Sequence, residues 1–365
     1  MQHTPLIVQH RTAGAKLVDF SGWEMPIQYS GVVDEYQTVR TKAGLFDVSH
    51  MGRIVVSGTG AEPFLQRVTT NDLAGLKPGQ AQYSMVCNEQ GGILDDIFVY
   101  RLENPGEFLL CVNASNRDKI LAWLFTQSQG LADCRIQDRS TEIAQIALQG
   151  PAARSIVEAL GLTTLAQLKL RQSTTVRIGG MKCLVARTGY TGEFGYELYV
   201  YGDGPVVWDA VMTAGKAFGL KPAGLGARDL LRLEMGYLLY GNDIDEHTTP
   251  LEAGVDWAVS FTKGEFLGKP VLETQRKEGP ARQFIGFELL EKGVPRHGFA
   301  IRSTASEPLG EVTSGNLSPL LQKGIGLGYV RSDFAKPETT IMIDIRGKLV
   351  PAKIVKPPFY TRPSK

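Results

Sequence analysis

The chain has 365 residues, 39 lysines and arginines against 38 aspartates and glutamates, and 43% hydrophobic residues. That length exceeds one ordinary core and implies two or three domains, and the composition excludes disorder and fibrous repeats. Balanced charge without like-charge blocks argues against nucleic-acid binding, and the absence of a targeting pattern or long apolar run argues for a cytoplasmic protein without a membrane partner.

Taken in chain order, segments 54–57, 83–87, 93–100, 108–112, 182–186 and 196–201 are short, rich in β-branched and aromatic residues, and bounded by Gly, Asn or Pro, which predicts strands of antiparallel sheets. Between them, 61–68, 117–125, 152–159, 206–218 and 228–239 space their apolar residues by three or four, which predicts helices. The class is therefore α+β. From Phe284 onward, 298–301, 328–329, 340–345 and 348–356 read as strands separated by Gly and Pro, a separate all-β barrel or sandwich. A polar stretch at 273–282, with Gly279 and Pro280, is the expected linker.

Cys87, Cys111, Cys134 and Cys183 are widely spaced and lack a CxxC, so buried reduced thiols are expected. His3, His10, His50, His247 and His297 form no metal-binding pattern, and no metal is expected.

The run from Gly91 to Tyr100 places Asp95 and Asp96 side by side in an otherwise apolar strand. Burying an ionised carboxylate is costly without a partner, so the pair needs a reason. Alternation sends the two to opposite faces, with Asp96 sharing a face with Leu94, Phe98 and Tyr100. A hairpin turning at Asn104-Pro105-Gly106 sets Asn113 opposite Asp96, and one turning at 88–91 brings Tyr83 opposite it from the other side. A row of Tyr83, Asp96 and Asn113 suits a flat heterocycle: an aromatic wall, an amide for the ring edge and a carboxylate of tunable pKa. The alternative is a carboxylate that caps a loop or pairs with an arginine.

The loop Arg187 to Glu197 carries three glycines and leads into a strand that Glu197 interrupts. Glu197 is either an exposed edge residue or a carboxylate facing a cavity. Further on, Gly224-Leu225-Gly226-Ala227-Arg228-Asp229 opens a helix. There a basic residue opposes the dipole by about 0.3–1 kcal/mol, so Arg228 calls for an acid or an anionic ligand. A surface pair of Asp229 with Arg232 would explain the aspartate alone. Neither this GxG nor 264–269 has the spacing of a nucleotide-binding loop, so nicotinamide and nucleoside triphosphate are not expected.

Together, Gly44-Leu45-Phe46-Asp47-Val48-Ser49-His50-Met51-Gly52, the GGILDD segment, RTGYTGEFGYE, PAGLGARDLLRLEMGYLLYGND and Pro357-Pro358-Phe359-Tyr360 resemble the glycine cleavage T-protein family in order and separation over the full length. The resemblance implies three domains in a cloverleaf: a discontinuous folate-binding part at 1–52 with 140–272, a part at 53–139 carrying Asp96, and a barrel or jelly-roll-like part at 283–365. It implies an aminomethyltransferase that takes the one-carbon unit from the aminomethylated lipoyl arm of H-protein to tetrahydrofolate, without flavin. By the same likeness Asp96 is catalytic, Glu197 and Arg228 meet the pteridine, Asn113 and Tyr83 line its pocket, and Tyr190 and Tyr100 wall it. Met51 then lies near the channel, and Tyr360 or Arg362 meets the folate tail. His50 reads equally as a structural turn and stays outside the catalytic set.

Two other uses of the same fold leave different marks in a sequence. One-carbon transfer from methylated amines normally goes with an attached flavin domain, for which this chain has no dinucleotide motif. A folate-binding accessory protein for iron–sulfur assembly carries a cysteine motif, whereas Lys263 to Lys269 has none.

Overall fold

A computed structural model describes residues 1–362. Backbone contacts divide the chain into two compact units: Met1–Val68, Asp72–Ser84 and Asp96–Asp229 form the first, and Thr69–Asn71, Met85–Asp95 and the chain from Leu230 form the second.

Three sheets contribute strands to the first unit. A small one joins Gln2–His3, Trp23–Gln28 and Lys16–Phe20. A six-stranded sheet runs in the order Ser173–Ile178, Met181–Ala186, Gly195–Tyr201, Ile143–Gln149, Ala43–Asp47, Leu220–Pro222, antiparallel except for its last pair. A five-stranded sheet runs Gln80–Cys87, Ile93–Arg101, Glu107–Val112, Gly52–Ser57, Arg135–Asp138.

Alternation along Gly195–Tyr201 explains how the six-stranded sheet is covered. Leu198 and Val200 pack with Ile156, Val157, Val207 and Val211 of helices Ala153–Ala159 and Gly204–Gly215. Tyr199 faces the other way, against Tyr100, Leu109 and Cys111 of the five-stranded sheet. Each such buried side chain contributes about 1.5–3 kcal/mol, enough to fix which face points where. Glu197 has the same parity as Tyr199 and points to the side where the five-stranded sheet lies.

In the second unit, Arg282–Leu289, Lys323–Arg331, Pro308–Ser318, Ala300–Arg302, Thr340–Ile345 and Lys348–Val355 close into a barrel in that order around Phe287, Ile301, Val312, Ile343 and Ile354. Closure removes the exposed edges that an open sheet would leave. The expected linker at 273–282 is corrected in part, because helix Lys269–Glu278 takes its first half. Leu272 anchors that helix in the core, and Gly279 at φ +83° ends it. No helix among the described residues is long and apolar enough to cross a membrane. Cys87, Cys111 and Cys183 are buried thiols, and Cys134 is half-buried.

Candidate functional site

Asp96 sits on strand Ile93–Arg101, which pairs with Glu107–Val112 in the register Phe98 to Cys111. Two residues further along the same register, Asn113 reaches Asp96: its Nδ2 donates to Oδ1 at 2.7 Å and to the backbone carbonyl at 3.1 Å. From the other neighbour, Tyr83 Oη donates to Oδ2 at 2.9 Å. Each carboxylate oxygen is thus held by a neutral donor, and the half-buried Asp96 keeps access that the fully buried Asp95 lacks.

From Asp96 a line of rings leads toward the six-stranded sheet, Tyr83 to Phe98 at 5.7 Å, Phe98 to Tyr100 at 6.1 Å and Tyr100 to Tyr199 at 5.1 Å between centroids. The placement of Tyr100 differs from the expected wall. The residue exposes no surface, because its ring fills the space between the sheets and its hydroxyl bonds inside the protein.

Glu197 lies in the middle of strand Gly195–Tyr201, paired with Ala147 on one side and Ala186 on the other, so the exposed-edge alternative does not hold. It is 9% exposed, and Thr188 Oγ1 donates to its Oε2. Arg228, in the first turn of helix Leu225–Met235, stacks its guanidinium 4.5 Å from the Tyr190 ring centroid. Its Nη1 is buried with no hydrogen-bond partner among the described residues. Burial pulls the guanidinium pKa down, opposed by Tyr190 and Glu197. Arg228 stacks on Tyr190 and is attracted at long range by Glu197, which leaves the donor capacity of Nη1 unspent. Arg232 of the same helix binds Asp243 at 2.7 Å in a buried pair.

The glycine-rich loop owes its shape to a residue that gave no sequence signal. Gln149 ends the strand Ile143–Gln149 fully buried, donates to the Thr188 carbonyl at 3.1 Å and accepts from Thr191 Oγ1 at 2.8 Å. A Cβ at Gly189 would lie 2.0 Å from Gln149 Oε1, so only glycine lets the amide thread the loop. Arg40 clamps the far side through Glu193 at 2.9 Å and the Thr191 carbonyl at 2.7 Å.

Met51 packs at the edge of the core between the sheets, in the turn after strand Ala43–Asp47. Arg53 sets that turn. Fully buried, it donates to the carbonyls of Ser49, Met51, Ser140 and Ile143. Asp47, bonded by His10 at 2.8 Å and Thr4 at 2.6 Å, accepts from the Ser49 amide. His50 is 3% exposed, meets Phe20 edge-on at 5.4 Å and keeps Nδ1 without a hydrogen-bond partner among the described residues. Burial pushes its pKa down to about 3, assisted by the nearby Arg228 and Arg53 charges and opposed by Asp47.

Tyr360 and Arg362 belong to the second unit, where Tyr360 is buried with its amide bonded to the Glu234 carbonyl at 3.2 Å and Arg362 is exposed. That unit also contains a cavity of about 570 Å³ lined by Asp243, Asp245, Arg282 and His297. Asp243 there already accepts from Arg232, Leu239, Thr313 and Ser314, which makes it a structural hub. Arg228 Nη1 and His50 Nδ1, in the first unit, are among the buried polar atoms left without a hydrogen-bond partner among the described residues.

The chain is similar to known proteins along its length. Residues 6–263 match the GCVT N-terminal domain, and residues 282–361 match the glycine cleavage T-protein C-terminal barrel domain. An aminomethyltransferase of Halothermothrix orenii is 48% identical over 98% of this chain and 100% of its own length, and one of Bacteroides thetaiotaomicron is 46% identical over 98% and 99%. The crystal structure of the glycine cleavage system aminomethyltransferase T from Bartonella henselae covers 99% of this chain and 98% of its own at a TM-score of 0.92 and 34% identity.

Proposed function

The chain belongs to the glycine cleavage T-protein family and is an aminomethyltransferase, and from that premise we propose that its donor is the S-aminomethyl dihydrolipoyl arm of an H-protein and its acceptor tetrahydrofolate. The transfer releases ammonia and the dihydrolipoyl arm and leaves 5,10-methylenetetrahydrofolate. We likewise propose a cytoplasmic location and the three-part division at 1–52 with 140–272, 53–139 and 283–365.

The residues fit a reduced pterin. Its amide and amino edge offers two N–H donors beside a carbonyl, and Glu197 with Arg228 supplies the matching acceptor and donor, Nη1 being left over by the fold itself. Tyr190 stacks against the guanidinium and limits its swing. In this reading Met51, packed at the edge of the core between the sheets, lies near the channel.

Asp96 carries the chemistry. Tetrahydrofolate supplies nucleophilic nitrogens to the arriving carbon. Asp96 receives or returns a proton at one carboxylate oxygen and, while ionised, stabilises positive charge that develops on the transferred unit. Tyr83 and Asn113 hold it in one orientation without a formal charge of their own. The observation that carries the reading is this half-buried carboxylate, fixed at both oxygens by neutral donors.

The deciding measurement is release of ammonia and 5,10-methylenetetrahydrofolate from aminomethylated H-protein and tetrahydrofolate, with Asp96→Asn alongside. The variant is expected to fold and bind folate while kcat falls by about a hundredfold or more. Full activity in Asp96→Asn would remove the residue from the mechanism.

A further inference from the structure

Behind Glu197 lies a row of hydroxyls that the proposed chemistry does not touch. Gln145 Nε2 donates to Tyr199 Oη at 3.2 Å, and Tyr199 Oη donates to Tyr100 Oη at 2.9 Å. Tyr100 Oη lies 3.4 Å from Thr188 Oγ1, which bonds Glu197 Oε2. Gln145, Tyr199, Tyr100 and Thr188 are all buried, and every link lies within the first unit.

The direction of this row is determined. A carboxylate only accepts, so the single Thr188 proton goes to Glu197. Thr188 must then accept from Tyr100, Tyr100 from Tyr199 and Tyr199 from the Gln145 amide. Four donor groups therefore align head to tail toward one oxygen, and bonds in such a chain polarise one another. Burial raises the pKa of both phenols well above the ordinary range, with the Glu197 charge adding to it, so both stay protonated donors.

Packing alone does not require this arrangement. Phenylalanine at 100 and 199 would fill the same space with the same edge-to-face rings, and valine at 188 has the shape of threonine. The hydroxyls are an added polar cost in a core, justified only by what they act upon. Their one charged terminus is Glu197.

We propose that Gln145, Tyr199, Tyr100 and Thr188 form a positioning device that occupies Glu197 Oε2, holds the carboxylate in one rotamer and reserves Oε1 for the pterin edge, so that they set folate affinity without taking part in transfer. The inference rests on the assignment of Glu197 to the pterin. Thr188 is its proximal element and Tyr199 its distal one, and the effect of removing a hydroxyl declines with distance along the row.

The test uses the full chain, with tetrahydrofolate binding followed by fluorescence or calorimetry and turnover followed with aminomethylated H-protein. Thr188→Val is expected to raise Kd and KM for tetrahydrofolate by about tenfold or more, and Tyr199→Phe by about threefold. In both, kcat and KM for the aminomethylated H-protein stay within about twofold of wild type. Thr188→Ser, which restores the hydroxyl, is expected to recover most of the affinity. Tyr199→Phe changes no packing volume and serves where Thr188→Val disturbs the fold. Wild-type affinity in both Thr188→Val and Tyr199→Phe overturns the inference while leaving the proposed function intact. Failure of the wild type itself to bind tetrahydrofolate overturns both. A fall in kcat with unchanged KM also overturns it, because the row would then act on transfer.

Discussion

Acid should weaken this fold through His50, and the size of the effect can be worked out. The imidazole is 3% exposed, with Nδ1 unpartnered among the described residues and the Arg228 and Arg53 charges opposing protonation, which together bring its pKa down to about 3. In the unfolded chain the same group titrates near 6.5. Between those values the unfolded state binds a proton that the native state refuses, so stability rises with pH across the window and is lost as pH falls from about 6.5 toward about 3. One unit of difference is worth about 1.4 kcal/mol, so at pH 5 His50 alone removes about 2 kcal/mol relative to pH 7.5. Urea unfolding of wild type and His50→Gln at the two pH values isolates the term, since every other titrating group is common to both proteins. The variant should lose about 2 kcal/mol less than wild type on acidification. Equal losses in the two proteins would refute the assignment of a buried, neutral His50.

Other perturbations follow from the same geometry. Arg53→Met leaves the carbonyls of Ser49, Met51, Ser140 and Ile143 without their donor, and at about 1–3 kcal/mol for each buried unsatisfied group the melting temperature should fall steeply. An unchanged melting temperature would show that the turn at 49–51 does not depend on it. Gly189→Ala drives a methyl into Gln149 Oε1 and should weaken tetrahydrofolate binding by roughly tenfold, an effect that Gln149→Ala in the same chain does not double, because both release one loop. Additive losses would separate the two residues. Arg228→Ala should weaken tetrahydrofolate binding by about tenfold or more, and unchanged affinity would take the guanidinium out of the site.

Hairpin arithmetic placed Asn113 and Tyr83 beside Asp96 because turn residues fix register and register fixes which side chains meet. The helix at 61–68 and the strand at 340–345 have the same limits in the structure, since amphipathic period and bounding glycines are local signals. What escaped was encoded without local contrast. Strand Ile143–Gln149 is buried at all seven positions and shows no alternation, so Gln145 and Gln149 could not be told from solvent-facing glutamines. The burial of Tyr100 depends on how two sheets face each other, and no motif at 100 reports that. The end of helix Lys269–Glu278 reads as linker from residue 273 onward because 273–278 is polar and the buried Leu272 lies just before it.

The two adjacent aspartates show why alternation carries more functional meaning here than composition does. A one-residue slip of Ile93–Arg101 against Glu107–Val112 would exchange Asp96 for Asp95 on the face of Asn113, and would also turn Phe98 and Tyr100 away from Tyr199. The aromatic packing that stabilises the two sheets therefore also selects which carboxylate meets Tyr83 and Asn113. On the facing sheet the same parity rule sends Tyr199 into that packing and Glu197 to the Thr188 hydroxyl. Core and site share strands and register. A substitution that loosens Tyr100 or Tyr199 should consequently displace both carboxylates together, whereas one that only removes a hydroxyl should reach Glu197 and leave Asp96 in place.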